Sequence, residues 1–168
     1  TTASNFVKII GNTIRNTGHA GIEFQGSNVT VRRNIIDTFC NVLDDNGGIY
    51  TFTNNASLNN LNFRNRIIDS NFIMNGIGSP LGANNISDVA AFYLDDQAAN
   101  VTGNHNTIAN VPGPAVQMNT PHDNIFTDNT IYNCKTVISI NQFTRASIYN
   151  NVIKRNVLYQ KDSSQFIF

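Results

Sequence analysis

Apolar and polar residues alternate along this chain in runs of only three to five positions, as in Val29-Thr30-Val31, Gly21-Ile22-Glu23-Phe24 and Ala115-Val116-Gln117-Met118. Alternation of period two over such lengths predicts short strands. A helix would need apolar residues at i, i+3, i+4 and i+7 across ten or more positions, and Gly, Asn or Pro interrupts every window long enough to hold one. Helices are therefore expected to be nearly absent. The strand signals also recur. Asn, any residue, Ile, any residue, Asn stands at Asn12-Thr13-Ile14-Arg15-Asn16, Asn71-Phe72-Ile73-Met74-Asn75, Asn106-Thr107-Ile108-Ala109-Asn110 and Asn129-Thr130-Ile131-Tyr132-Asn133, with looser copies from Asn34 and Asn151. Successive starts lie 22, 37, 35, 23 and 22 residues apart. That spacing reads as a unit of about 22 with roughly a dozen residues inserted in two of the copies.

Each copy follows one short alternating segment and precedes another, the second set being Gly21-Ile22-Glu23-Phe24, Gly48-Ile49-Tyr50-Thr51, Ala91-Phe92-Tyr93-Leu94, Ala115-Val116-Gln117-Met118 and Thr136-Val137-Ile138-Ser139. A unit of this length with two or three such strands predicts an all-β fold, a right-handed parallel β-helix of five to six rungs with two inserted loops. Residues 1–168 then form a single β-helix domain. Ile, Val and Phe stack inside. The repeated Asn falls where one strand bends into the next, where left-handed backbone and amide ladders between rungs are both useful.

Composition sharpens this picture. Hydrophobic residues make up 40% of the 168, but charged ones only 13%, about half the usual share of roughly 25%. The 29 Asn outnumber all acidic and basic side chains together. Eleven Lys and Arg balance eleven Asp and Glu, so no basic field exists to gather nucleic acid or an anionic membrane surface. No apolar run of 18 residues and no secretory leader pattern occurs. The start at Thr1-Thr2-Ala3-Ser4 and the partial rungs at both ends lead to the expectation of a processed chain or a piece of a longer β-helix, completed by flanking sequence or by a homo-oligomer. Cys40 and Cys134 fall near one corner about three rungs apart, on the order of 14 Å at about 4.8 Å per rung, too far for a disulfide. Neither they nor His19, His105 and His122 have the spacing of metal ligands, so no metal set is assigned.

The repeat resembles the pectate-lyase-like superfamily of right-handed parallel β-helix proteins. Asp44-Asp45-Asn46-Gly47-Gly48-Ile49-Tyr50-Thr51, and Tyr93-Leu94-Asp95-Asp96 followed by Asn100-Val101-Thr102, are similar to segments of bacterial secreted β-helix glycoside hydrolases and related carbohydrate-active proteins. The resemblance implies a polysaccharide or oligosaccharide substrate and a secreted, periplasmic or cell-surface location. The Gly-His-Gly and Arg-Ile-Lys of polygalacturonases are absent.

Register points to where such chemistry would lie. If Ile22, Ile49, Phe92 and Val116 face inward, Glu23, Tyr50, Tyr93 and Gln117 form one outward row, and Phe52, Asp95 and Asn119 form the next. Aromatic faces stack on pyranose rings, while amides and carboxylates bond to hydroxyls. The acids cluster beside this strip as Asp44-Asp45 and Asp95-Asp96, and adjacent acids raise one another's pKa, separating an acid from a carboxylate as glycoside hydrolysis requires. Asp45 and Asp95 are the leading catalytic candidates, with Asp44, Asp96 and Glu23 assisting or replacing them. Tyr50, Tyr93, Gln117, Asn119, His19 and His122 are candidate substrate-binding residues, and the inserted segments near 53–64 and 76–89 are expected to wall a cleft. The plain structural alternative is that the Asp pairs cap turns, that Glu23 is merely solvated and that each His makes one corner hydrogen bond. Hydrolysis needs no cofactor. A competing lyase or epimerase reading would use the Asp pairs to hold calcium against a uronate, and a third reading is a non-catalytic adhesin or fibre shaft.

Overall fold

The computed structural model describes residues 5–53, 63–79, 88–143 and 146–168. Among them there is no helix, and so none long and apolar enough to cross a membrane. In chain order the strands are β1 (Lys8–Ile10), β2 (Thr13–Arg15), β3 (Ile22–Glu23), β4 (Val29–Arg32), β5 (Ile35–Phe39), β6 (Asn46–Phe52), β7 (Arg66–Asp69), β8 (Phe72–Gly76), β9 (Val89–Asp95), β10 (Val101–Asn104), β11 (Thr107–Asn119), β12 (Ile125–Thr127), β13 (Thr130–Asn141), β14 (Val152–Lys154) and β15 (Val157–Tyr159). All paired strands are parallel.

Two sheets result. One runs β1-β4-β7-β10-β12-β14; the other runs β2-β5-β8-β11-β9-β6-β3, with β13 beside β11 and β15 beside β13. The second sheet doubles back at β11 because that strand carries on past the position where β8 and β9 are separate, with a register shift between Val111 and Pro114. Cys134 pairs with Val111 inside β13 and therefore lies in a strand, not at the corner expected of it. Both thiols are free and buried, and burial pushes Cys40 up to about 12 and Cys134 up to about 11.

Equivalent side chains meet along the sheets. Ile36, Ile73, Ile108 and Ile131, the central residues of the repeated pattern, are register partners and are fully buried. Burying each is worth about 1.5–3 kcal/mol. Ile49, Phe92, Val116 and Ile138 form a second inward column. Gly103 leaves room for Phe126, whose ring meets Phe92 edge-on at 5.7 Å.

The two Asn of the repeat have different tasks. Asn12, Asn34, Asn71, Asn106 and Asn129 each donate from backbone N and from Nδ2 to Oδ1 of the next member, the last reaching Asn156, at 2.9–3.0 Å. The residue before each inner member, Arg33, Ser70, His105, Asp128 or Arg155, takes the left-handed backbone. The closing Asn of the pattern is itself left-handed at Asn16, Asn75, Asn110 and Asn133, at φ 55, 60, 57 and 54°. Asn has little to lose there. The copy read from Asn151 is a correction: Asn151 lies under Asn124 in a different corner, and the true continuation of the ladder is Asn156, 27 residues after Asn129.

Candidate functional site

The register of β3, β6, β9, β11 and β13 aligns Glu23 with Tyr50, Tyr50 with Tyr93, Tyr93 with Gln117 and Gln117 with Ser139. Phe52 pairs with Asp95 in the neighbouring row, and Asn119 reaches Asp95 through its amide. These side chains stand on the face opposite Ile49, Phe92 and Val116 because alternate residues of a strand point to opposite sides.

Polar groups on this face are tied together. The Tyr50 hydroxyl donates to Asp95 Oδ2 at 2.9 Å and the Tyr93 hydroxyl to Asp45 Oδ1 at 3.1 Å. Asn119 Nδ2 donates to Asp95 Oδ1 at 2.7 Å and to the Tyr93 hydroxyl oxygen at 3.2 Å. The Asp96 backbone N–H donates to Asp95 Oδ1 at 2.8 Å. Tyr50 and Tyr93 meet edge-to-face with centroids 5.3 Å apart, and Phe52 lies 5.7 Å beyond Tyr50. Tyr50 is half-buried, but Tyr93 is only 3% exposed. The expectation that Tyr93 offers an open stacking platform is therefore corrected: the packed Tyr50 ring and the bonds to Asp45 and Asn119 leave its hydroxyl in the polar network and its ring covered. Gln117 and Asn119 are buried as well, at 9% and 4%.

One residue that the sequence reading passed over belongs to this group. Asp88 stands five residues before Tyr93, as Asp45 stands five before Tyr50, and Asn46 pairs with Val89, so the two acids are neighbours at the entry to adjacent strands. The Asp45 N–H donates to the Asp88 carbonyl at 2.6 Å, and Gln117 hydrogen-bonds the Asp88 side chain. Counting back from the paired tyrosines would have found it. The inserted segment expected near 76–89 masks it, since Asp88 falls inside that range.

Electrostatics then separate these acids. Desolvation, followed by the charges of Asp45 and Asp44, pushes the Asp88 carboxyl above its ordinary range. Desolvation, followed by Asp95 and Asp45, raises Asp96. Burial and the same carboxylates push Tyr50 and Tyr93 upward, keeping both hydroxyls protonated as donors. No Lys or Arg contributes to any of these shifts. Asp44 adds an Oδ2 that is buried without a hydrogen-bond partner.

The remaining candidates are placed as follows. His19 Nε2 donates to the Asp44 carbonyl at 3.0 Å while Nδ1 faces the Asn46 amide at 3.5 Å, so His19 borders the acidic corner with its Nε2 proton spent on backbone. Glu23 is exposed beside Tyr50, at the end of the row and outside the hydrogen-bonded group. His122 is not brought to the site: it pairs with Asp123 at 2.9 Å and stacks on Tyr149 with centroids 4.9 Å apart, beside Ala99 in the corner that leads into β12. The expected cleft walls fall mostly on residues 54–62 and 80–87, outside the described residues.

Sequence reasoning also missed Arg66, a fully buried cation. It stands in register with Val29 and Val101, and from there its guanidinium donates to Thr51 Oγ1 at 3.1 Å, to Thr53 Oγ1 at 3.0 Å and to the Ala99 carbonyl. Burial lowers it to about 10, so it stays charged at neutral pH. Thr51 lies between Tyr50 and Phe52, and Ala99 follows the Asp95-Asp96 turn, so Arg66 ties both flanks of the candidate site together from beneath.

Chemically, the face offers two acids pushed above their ordinary range, Asp88 and Asp96, beside three further aspartates, together with amide and phenol donors. Among the described residues no three His, Cys, Asp or Glu side chains converge as a ligand set for a metal ion. Comparison of the chain with protein-family models, with curated proteins and with solved structures returns no match.

Proposed function

We propose that this chain is a right-handed parallel β-helix of five to six rungs of about 22 residues, and that it hydrolyses glycosidic bonds of a polysaccharide or oligosaccharide. The observation that carries the reading is the pairing of acids pushed toward the neutral form with carboxylates on one aromatic wall: Asp88 beside Asp45, and Asp96 beside Asp95. A glycosidase needs this division, one carboxyl protonating the leaving oxygen and one carboxylate acting as nucleophile or as base for water. In this reading Asp45 and Asp95 are the carboxylates, fixed by the Tyr93 and Tyr50 hydroxyls. Asp88 or Asp96 supplies the proton, and the Asp44 charge adds to the upward push on Asp88. Tyr50 orients the sugar, the buried Gln117 and Asn119 hold Asp88 and Asp95 in place, and Glu23 and His19 stand at the margins. Among the described residues no Lys or Arg acts on these acids and tyrosines, which suits a neutral glycan better than a uronate. The resemblance to secreted bacterial β-helix enzymes supports a secreted, periplasmic or cell-surface location and a pectate-lyase-like ancestry.

One observation favours a second reading. Five carboxylates with a partnerless Asp44 oxygen among them supply hard oxygen ligands of the kind calcium takes, as a polysaccharide lyase or epimerase would require. No step is assigned to that ion, because no three-residue ligand set converges among the described residues. Assays on neutral and uronate-containing glycans, with and without chelator, separate the readings. Hydrolysis predicts new reducing ends from neutral glycans, insensitive to chelator. An unsaturated product absorbing in the ultraviolet, lost on chelation, would replace it with elimination. Binding without cleavage would leave a carbohydrate-binding or structural shaft.

A further inference from the structure

A groove of about 460 Å³ opens at the corner where β8 ends and where β11 and β13 bend, within the roughly 300–1,000 Å³ of ordinary ligand sites. It lies outside the hydrogen-bonded acidic network. Its polar side is a chain of amides: Asn110 Nδ2 donates to Asn75 Oδ1 at 3.0 Å, Asn133 Nδ2 to Asn110 Oδ1 at 2.8 Å, and Gln165 Nε2 to Asn133 Oδ1 at 2.8 Å. Each donor amide spends one N–H on its neighbour and keeps a second. Pro112 supplies an exposed apolar surface, and the exposed Lys135 supplies three further donors. Rings with an apolar face and a hydroxyl rim fit this mixture, whereas a multiply charged ligand would find a single cation among the lining residues.

Location links the groove to the acidic wall. Pro112 precedes Gly113, and Gly113 lies so close to Val89 that a Cβ there would stand 2.1 Å from the Val89 carbonyl oxygen. Val89 directly follows Asp88. The groove therefore starts at the end of β8, passes Pro112 beside the strand that follows Asp88, and continues across β11 and β13 toward Gln165, in the direction in which the row Tyr50, Tyr93, Gln117 also runs.

We propose that this groove is a second carbohydrate subsite, holding an uncharged stretch of the same glycan beyond the sugars that flank the bond the aspartates address. This inference rests on the carbohydrate reading of the acidic wall. The test compares binding of neutral xylo-, cello- and manno-oligosaccharides, as di- and hexasaccharides, by calorimetry on the wild type, Lys135→Ala and Pro112→Ser, with circular dichroism to confirm folding. The subsite predicts that both variants weaken the preferred hexasaccharide by roughly five- to tenfold, the equivalent of one or two hydrogen bonds or a lost apolar contact, and leave the disaccharide within about twofold. Equal affinities in wild type and variants, or no length dependence at all, would overturn it. Hexasaccharide binding that both variants weaken, without any release of reducing ends, would remove the hydrolase reading and leave the groove standing. Cleavage that survives with an unchanged length dependence in the variants would do the reverse.

Discussion

At the scale of single residues, the buried Asn ladder carries more than its small side chains suggest. Asn71 accepts from the backbone and amide of Asn34 and donates to the Val31 carbonyl and to Asn106, all at 2.9–3.0 Å and out of contact with water. Asn71→Ala strands several of those partners at once, and each buried orphan costs about 1–3 kcal/mol. Denaturant unfolding should show a loss of at least about 3 kcal/mol. At exposed Asn110 the same change forfeits the amide bonds to Asn75 and Asn133 plus the advantage of Asn in left-handed backbone, about 1–2 kcal/mol. The acids behave differently. Because the folded state raises Asp96 above its ordinary value of 3.8, its protonated form favours folding; that contribution is full below the unfolded pKa and is lost as pH rises through the folded one. Asp96→Asn should therefore raise the thermal midpoint at pH 7 relative to wild type, and the gain should vanish near pH 3. Asp128, held down to about 2 by Arg155, has the opposite sign: its contribution is present above 3.8 and fades as pH falls toward 2.

At the scale of elements, the strands that the alternating pattern predicts are the ones that form, and the row from Glu23 to Gln117 follows from counting residues. Local pattern suffices there because a one-residue slip would turn every Ile of the core outward. The pattern failed where two signals overlapped. Asn151-Val152-Ile153 carries the motif but belongs under Asn124, while the ladder's own last member, Asn156-Val157-Leu158, has lost the Ile. Asp88 was obscured by an insertion next to it, and Arg66 had no local signal at all, since its partners Thr51, Thr53 and Ala99 converge only through folding. Burial of Tyr93 was equally illegible, because alternation tells which face a residue takes but not what covers that face. Gly113 tests the element-level account. A methyl there meets backbone that cannot rotate away, so Gly113→Ala should cost about 1–3 kcal/mol or more and disturb the β9–β11 register beside Asp88. Amide hydrogen exchange of the two strands would report it.

At the scale of the whole molecule, parallel stacking turns a chain with only eleven acidic residues into one that sets five of them along a single wall. Three separate segments supply them, residues 44–45, 88 and 95–96, and register alone brings those segments together. The fold thus concentrates charge that the composition does not, and the tyrosines convert part of that repulsion into fixed hydrogen bonds. The most direct test of this account is the rate of reducing-end release from a cleaved neutral glycan by wild type, Asp95→Asn and Asp45→Asn, each shown to be folded by circular dichroism. Loss of a carboxylate that acts in the transition state should lower kcat at least about a hundredfold in one or both variants. Wild-type rates in both folded variants would contradict the central claim.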